Sequence, residues 1–205
     1  MKRLFTRNMF NFSLVAAILI LNGCSSMMTL RTQDLNISEE EYSEQIITNA
    51  VTEGQDLGQR VGKATFTVFA IPVGSVYLTG DGNKQIMDLV RDALKQVGYE
   101  VIIADSREPS EVPRLICKIE RFWFKNYTWF APFIKTWGGI QLEVNLLSQD
   151  GKVVWTQDFF EKAATWKSVD AFSNVANVCM LRILNKMVNA FSSREFHSVL
   201  VEYSS

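Results

Sequence analysis

Residues 140–146 constrain this chain more tightly than any other stretch. Ile140, Leu142, Val144 and Leu146 alternate with Gln141, Glu143 and Asn145. A strict period of two fits a strand with one buried face and one wet face, and no helix. Gln149-Asp-Gly-Lys152 then gives a turn signal, and residues 153–159 supply a partner strand. Upstream, residues 115–124 place Leu115, Cys117 and Ile119 on one face, opposed by Lys118 and Glu120. These three strands predict an antiparallel meander.

Such a sheet needs a cover on its apolar side, and two helical stretches can provide it. Residues 84–97 carry Ile86, Leu89, Val90, Ala93, Leu94 and Val97 at three- and four-residue steps, the spacing of an amphipathic helix. Asp81 or Asn83 can cap its start, and Gly98 can end it. Residues 170–192 are expected to form the longest helix, with Phe172, Val175, Ala176, Cys179, Ile183, Met187 and Ala190 in one stripe. Leu181 and Val188 lie nearly opposite that stripe, which implies a further buried contact. Residues 63–71 read as a central strand, interrupted at Pro72 and Gly74 and resumed over 75–78, and 99–104 as another. Strand, helix and strand in that order predict a right-handed parallel crossover. The expectation is an α+β domain of order β-α-β-β-β-α, with two main helices on one face of a mixed sheet. Residues 196–203 could add a short terminal strand.

Between the strands lies an unusual run. Eight of the sixteen residues from Phe122 to Trp137 are aromatic. Phe122 and Phe124 face one way along a strand and Trp123 the other, so part of the run is ordinary core. Beyond Lys125 the chain is expected to turn, with Tyr127, Trp129, Phe130 and Phe133 around Asn126, Thr128 and Pro132. These four are the candidate interface residues. Either they fold back over the core, or they form an exposed aromatic patch for a protein, a second copy or an envelope lipid. Lys125 and Lys135 flank them and could meet phosphate headgroups.

The front of the chain bears on location. Lys2, Arg3 and Arg7 precede an apolar run over residues 12–21 that is too short for an ordinary transmembrane helix and has the length of a cleaved targeting segment. Leu21-Asn-Gly-Cys24 follows and resembles the lipoprotein processing box of bacteria. That resemblance implies cleavage before Cys24, lipidation of its thiol and acylation of the new amino terminus. Ser25 after the cysteine, where Asp would signal inner-membrane retention, favours the outer membrane. The alternative is an ordinary cysteine behind a conventional signal or anchor. On the lipoprotein reading, residues 1–23 are the signal peptide and 24–60 the lipid anchor, tether and a short helix over 39–50 with Ser38 and Glu41 as a capping box. Residues 52–62 read as loop, and 61–205 as a single domain.

The part after residue 23 holds 18 Lys or Arg against 22 Asp or Glu. That balance gives no support to nucleic-acid binding, which needs a basic face. Cys117 and Cys179 could pair in an oxidising compartment or sit in the core as small hydrophobes. With one distant histidine, His197, they make no metal-ligand set, and no cofactor is expected. Gly80-Asp-Gly-Asn-Lys84 lacks the spacing of a phosphate or calcium loop and reads as a turn feeding a helix.

The element order over residues 60–195 resembles small outer-membrane lipoproteins of the YajG-like kind. More distantly it resembles auxiliary lipoproteins of lipid-transport systems and the lipopolysaccharide-assembly lipoprotein. The Gly98-Tyr99 junction, the Asp150-Gly151-Lys152 hairpin followed by Trp155, and the final helix carry the resemblance. It implies fold and location, and brings no active-site residues. The expected function is a lipid-anchored, non-enzymatic accessory or scaffolding protein of the envelope that holds a protein partner or self-associates. The alternative is a carrier or sensor of a lipid or other envelope amphiphile, with a cavity lined by residues such as Phe172 and Met187.

Overall fold

The computed structural model of the chain describes residues 26–30, 45–49, 53–66, 71–104, 112–130, 133–167 and 170–204. Its frame is the meander that the alternating segments predict: β7 (Arg114–Phe130), β8 (Phe133–Leu147) and β9 (Val153–Thr165), each antiparallel to the next. Ile140, Leu142, Val144 and Leu146 are fully buried in β8. In β7 the buried set is Leu115, Cys117, Ile119, Phe122 and Phe124, which changes parity midway. The register against β8 slips between Ile119 and Arg121, so the extra residue of a bulge returns Phe122 to the face that Ile119 occupies.

The other edge of β7 is shared by three short strands laid end to end: β2 (Gln45–Asn49), β3 (Glu53–Gly54) and β4 (Gly62–Phe66), all parallel to it. β3 fits because Gly54 sits at φ +97° and a Cβ there would fall on the Ile119 carbonyl. Between β3 and β4 the chain bulges away, and the Gln55 side chain fills the gap. The Phe122 N–H donates to Gln55 Oε1 at 2.8 Å, and Gln55 Nε2 donates to the Phe122 carbonyl at 3.0 Å. One amide side chain thereby replaces a missing backbone partner. Beyond β2 lies β6 (Glu100–Ala104), parallel to it. Beyond β4 lies β5 (Ile71–Leu78), antiparallel, and then β1 (Ser26–Met28), parallel to β5.

Several expectations are corrected here. Residues 45–49 are strand rather than the second half of a short helix; residues 39–44 lie outside the described residues. The stretch read as loop over 52–62 holds β3. The chain that runs through Phe66 reverses before Ile71, so 63–71 is two strands, not one. Pro72 is tolerated because the β4–β5 register slips beside its partner Thr65, where its missing N–H is not needed. β5 runs opposite to β4 and hence opposite to β6, so the strands flanking the first helix form no parallel crossover. The β-α-β-β-β-α order is thus too sparse, and the strand order differs.

Three helices among the described residues cover one face of the sheet. α1 (Gly82–Val97) is capped as expected: Asp81 Oδ1 accepts from the Lys84 N–H at 3.1 Å, and Gly98 closes it at φ 104°. α2 (Ala171–Phe191) buries Phe172, Val175, Cys179, Ile183 and Met187 against the sheet. Leu181 faces the groove between α2 and α1, while Val188 packs on the core, which accounts for the pair opposite the main stripe. Residues 196–203 are not a strand: α3 (Arg194–Ser204) begins where Ser193 Oγ accepts from the Phe196 N–H at 3.2 Å. Phe196 and Leu200, four residues apart, are fully buried. The Phe196 ring meets Trp155 at 4.8 Å, Phe191 at 5.0 Å and Tyr99 at 5.8 Å, closing the core at the end of the sheet away from the β7–β8 turn.

Candidate functional site

The face of the sheet opposite the helices is built by the register. Arg121 stands beside Gln141, and that beside Phe160; next come Trp123, Gly139 and Lys162; then Lys125, Trp137 and Ala164. Tyr127 pairs with Lys135 in the following row, and Trp166, just past β9, lies under the Lys135 ammonium at 5.3 Å. Lys63 joins the row of Lys125 from β4. Arg60 stacks over Trp123 at 5.5 Å, and Lys162 over Phe160 at 4.8 Å. Cations placed over rings are held by the ring quadrupole.

Rings and cations thus alternate over four rows, with no carboxylate in any of them. Among the described residues, the acids of this face gather around Lys118: Glu143 and Asp158 stand in its row, and Glu120 pairs with it at 2.5 Å. Among the described residues, no ion pair engages Arg60, Lys63, Arg121, Lys125, Lys135 or Lys162. Gly139 leaves the floor bare between Trp123 and Lys162, opening a depression of about 220 Å³. A second, about 460 Å³, lies between Lys135, Trp137 and Lys162. Of the eight large apolar side chains exposed among the described residues, Phe160 and Trp166 stand on these rows. Met27 and Tyr77 stand on the same face of β1 and β5, since their neighbours Met28, Val76 and Leu78 point to the core.

The parity of Trp123 is as the sequence predicts. Trp123 faces away from Phe122 and Phe124, which are buried with rings 5.2 Å apart. The turn expected beyond Lys125 is not there, because β7 continues to Phe130 and β8 resumes at Phe133. Tyr127 is half-buried on the open face. Trp129, Phe130 and Phe133 have their backbone in the hairpin strands, but their side chains lie outside the described residues, as does Cys24 altogether. On the helix side the same hairpin turns polar: Asn126 Nδ2 donates to Thr136 Oγ1 at 3.2 Å. Thr65 Oγ1, from β4, donates to the Asn126 carbonyl at 2.7 Å. Arg60, Lys162 and Trp166 went unread as site residues, since only the pairing brings them beside Trp123 and Lys135.

Cys117 and Cys179 are free and buried, so the pairing left open by the sequence is not made. Burial pushes both thiols up to about 12, with the Glu161 carboxylate adding to the effect at Cys179. His197 is half-buried on α3. The Gly80–Lys84 segment is a turn that caps α1, as its residues suggest. Phe172 and Met187, named as lining for a lipid cavity, are packed in the core. The outer edge of β9 is partly closed by α2: Arg182 donates to the Lys162 carbonyl at 3.2 Å and Lys186 to the Phe160 carbonyl at 2.9 Å. Lys186 also pairs with Glu161 at 2.8 Å and holds its carboxyl below the usual range.

No protein-family model matches the chain, and no curated protein matches its sequence. Solved structures share its shape. A Xanthomonas campestris protein of the DUF330 family superposes with a TM-score of 0.52 at 12% identity, over 80% of this chain and 92% of its own. A Helicobacter pylori homolog of neuraminyllactose-binding hemagglutinin gives 0.49 at 9% identity, over 87% and 97%. A minor lipoprotein from Acinetobacter baumannii gives 0.41 at 4% identity, over 75% and 93%. At such identity the first likeness is one of fold: a mixed sheet with helices on one side. It does not extend to YajG-like membership.

Proposed function

We propose that this chain is a lipid-anchored, non-enzymatic accessory protein of the bacterial envelope, held at the outer membrane through Cys24, that binds a partner through the open face of its sheet. The observation that carries the binding role is the set of four rows in which rings and cations alternate without a carboxylate. That chemistry recognises and holds; the two thiols that could attack a substrate are buried and protonated. The anchor rests on the Leu21-Asn-Gly-Cys24 box behind its apolar run, and several acyl chains make such anchoring stable.

Self-association through β9 is the less favoured form of partnership, because Arg182 and Lys186 already occupy carbonyls on that edge. The carrier reading is also weaker, since the residues it needs as lining fill the core. Mass analysis of the chain recovered from membranes tests the proposal: the mature form should begin at Cys24 and carry acyl mass, and Cys24→Ser should release it to the soluble fraction. A mature chain that begins elsewhere, or lacks acyl mass, refutes it.

A further inference from the structure

Beyond binding in general, the geometry points to one occupant for the open face: we propose that it lies against an anionic lipid surface. This rests on the anchored reading above and names the partner of the same site. Three observations converge on it. The first is charge. Arg60, Lys63, Arg121, Lys125, Lys135 and Lys162 gather on one face of a chain whose part after residue 23 has more acids than bases. Such a cluster attracts a negatively charged leaflet.

The second is the interleaving of aromatic and apolar side chains among those cations. Trp123, Trp137 and Trp166 bring amphipathic rings that suit the headgroup level of a bilayer, and Met27, Tyr77, Phe160 and Trp166 are large apolar side chains exposed on the same face. The third is where the tether starts. Ser26 opens β1 in the cross-sheet row of Val76, Gly62, Phe124 and Gly138. β1 runs opposite to β7, so its amino end points toward the β7–β8 turn, the end that carries the rings and cations. Covalent geometry alone keeps Cys24 within about 7 Å of Ser26. Acyl chains at Cys24 would therefore enter a bilayer at the end of the sheet that carries the rings and cations.

The full-length chain is reconstituted into vesicles of phosphatidylcholine, with or without phosphatidylglycerol. Quenching by a lipid with a shallow nitroxide is read as the difference between the native chain and Trp166→Phe. Quenching of Trp166 several-fold stronger in the anionic vesicles is expected. Each lysine removed should lower occupancy of the face by about fivefold. Lys135→Glu with Lys162→Glu should thus abolish the difference with the melting midpoint unchanged, and high salt should do the same. Equal quenching in both vesicle types overturns the proposal. So does protection of Trp166 in neutral vesicles that grows with protein density, which would assign the face to a second copy. Flotation with neutral vesicles reads the anchor separately: a chain that does not float sinks the anchored reading, while a floating chain with an indifferent Trp166 sinks only this one.

Discussion

Replacing Gln55 by Ala removes the amide that stands in for a strand. Two hydrogen bonds disappear, the Phe122 N–H to Oε1 at 2.8 Å and Nε2 to the Phe122 carbonyl at 3.0 Å. Each is worth about 1 kcal/mol net. A dry gap would add the desolvation of two orphaned backbone groups, but Gln55 is only half-buried and water can enter. The loss is therefore about 2 kcal/mol, or about 4–8 °C in melting midpoint for a domain of this size. Gln55→Glu adds a sign test. Its carboxylate can still accept from the Phe122 N–H, but it confronts the Phe122 carbonyl with a second acceptor, which raises its pKa in the folded state. The protonated acid can donate to that carbonyl, so the variant should regain stability as pH falls through the folded-state value, fully so below the unfolded value of about 4.3. Thermal denaturation across pH, with amide exchange at Phe122, reads both effects. An Ala variant that melts within about 1 °C of the native chain, with unchanged exchange at Phe122, would refute the substitute-strand account.

Two further outcomes test the core. Phe196→Ala should cost about 4 kcal/mol, because a fully buried ring in contact with Trp155, Phe191 and Tyr99 is lost; chemical denaturation checks it, and a cost under about 1 kcal/mol would mean that α3 does not close the core. Burial raises the Cys117 thiol to about 12 from 9.0, so its contribution is fully present below pH 9 and is lost as pH climbs toward 12, at about 1.4 kcal/mol per pH unit; in a Cys24→Ser background a thiol reagent at pH 8 should modify neither Cys117 nor Cys179 until the chain unfolds, and rapid labelling of the folded protein would contradict their placement.

Local pattern was enough for the second half of β8, where alternation leaves one choice, and for α1, where Asp81 and Gly98 mark both ends. It failed where hydrogen bonds come from far along the chain. Ile46 and Ile47 fit a helix face as well as a strand, and only the pairing of Ile47 with Arg114 and Ile102 decides the matter. Val199, Val201 and Tyr203 favour strand by propensity, yet Phe196 and Leu200 sit at helical spacing over a core that holds them, and packing wins. The aromatic run was visible, and the parity of Trp123 with it. What stayed hidden was its company: Lys162 reaches Trp123 only across Gly139, through two registers that no local window contains.

The broken row of strands along β7 carries a kinetic corollary. Ile47 meets Arg114 and Gly62 meets Phe124, loops of 67 and 62 residues, whereas β7, β8 and β9 join through neighbours. Closing the long loops before any contact rewards them is slow. The meander therefore serves as a template on which the leading third of the polypeptide zips up last, and an amide at position 55 is among the teeth that must engage.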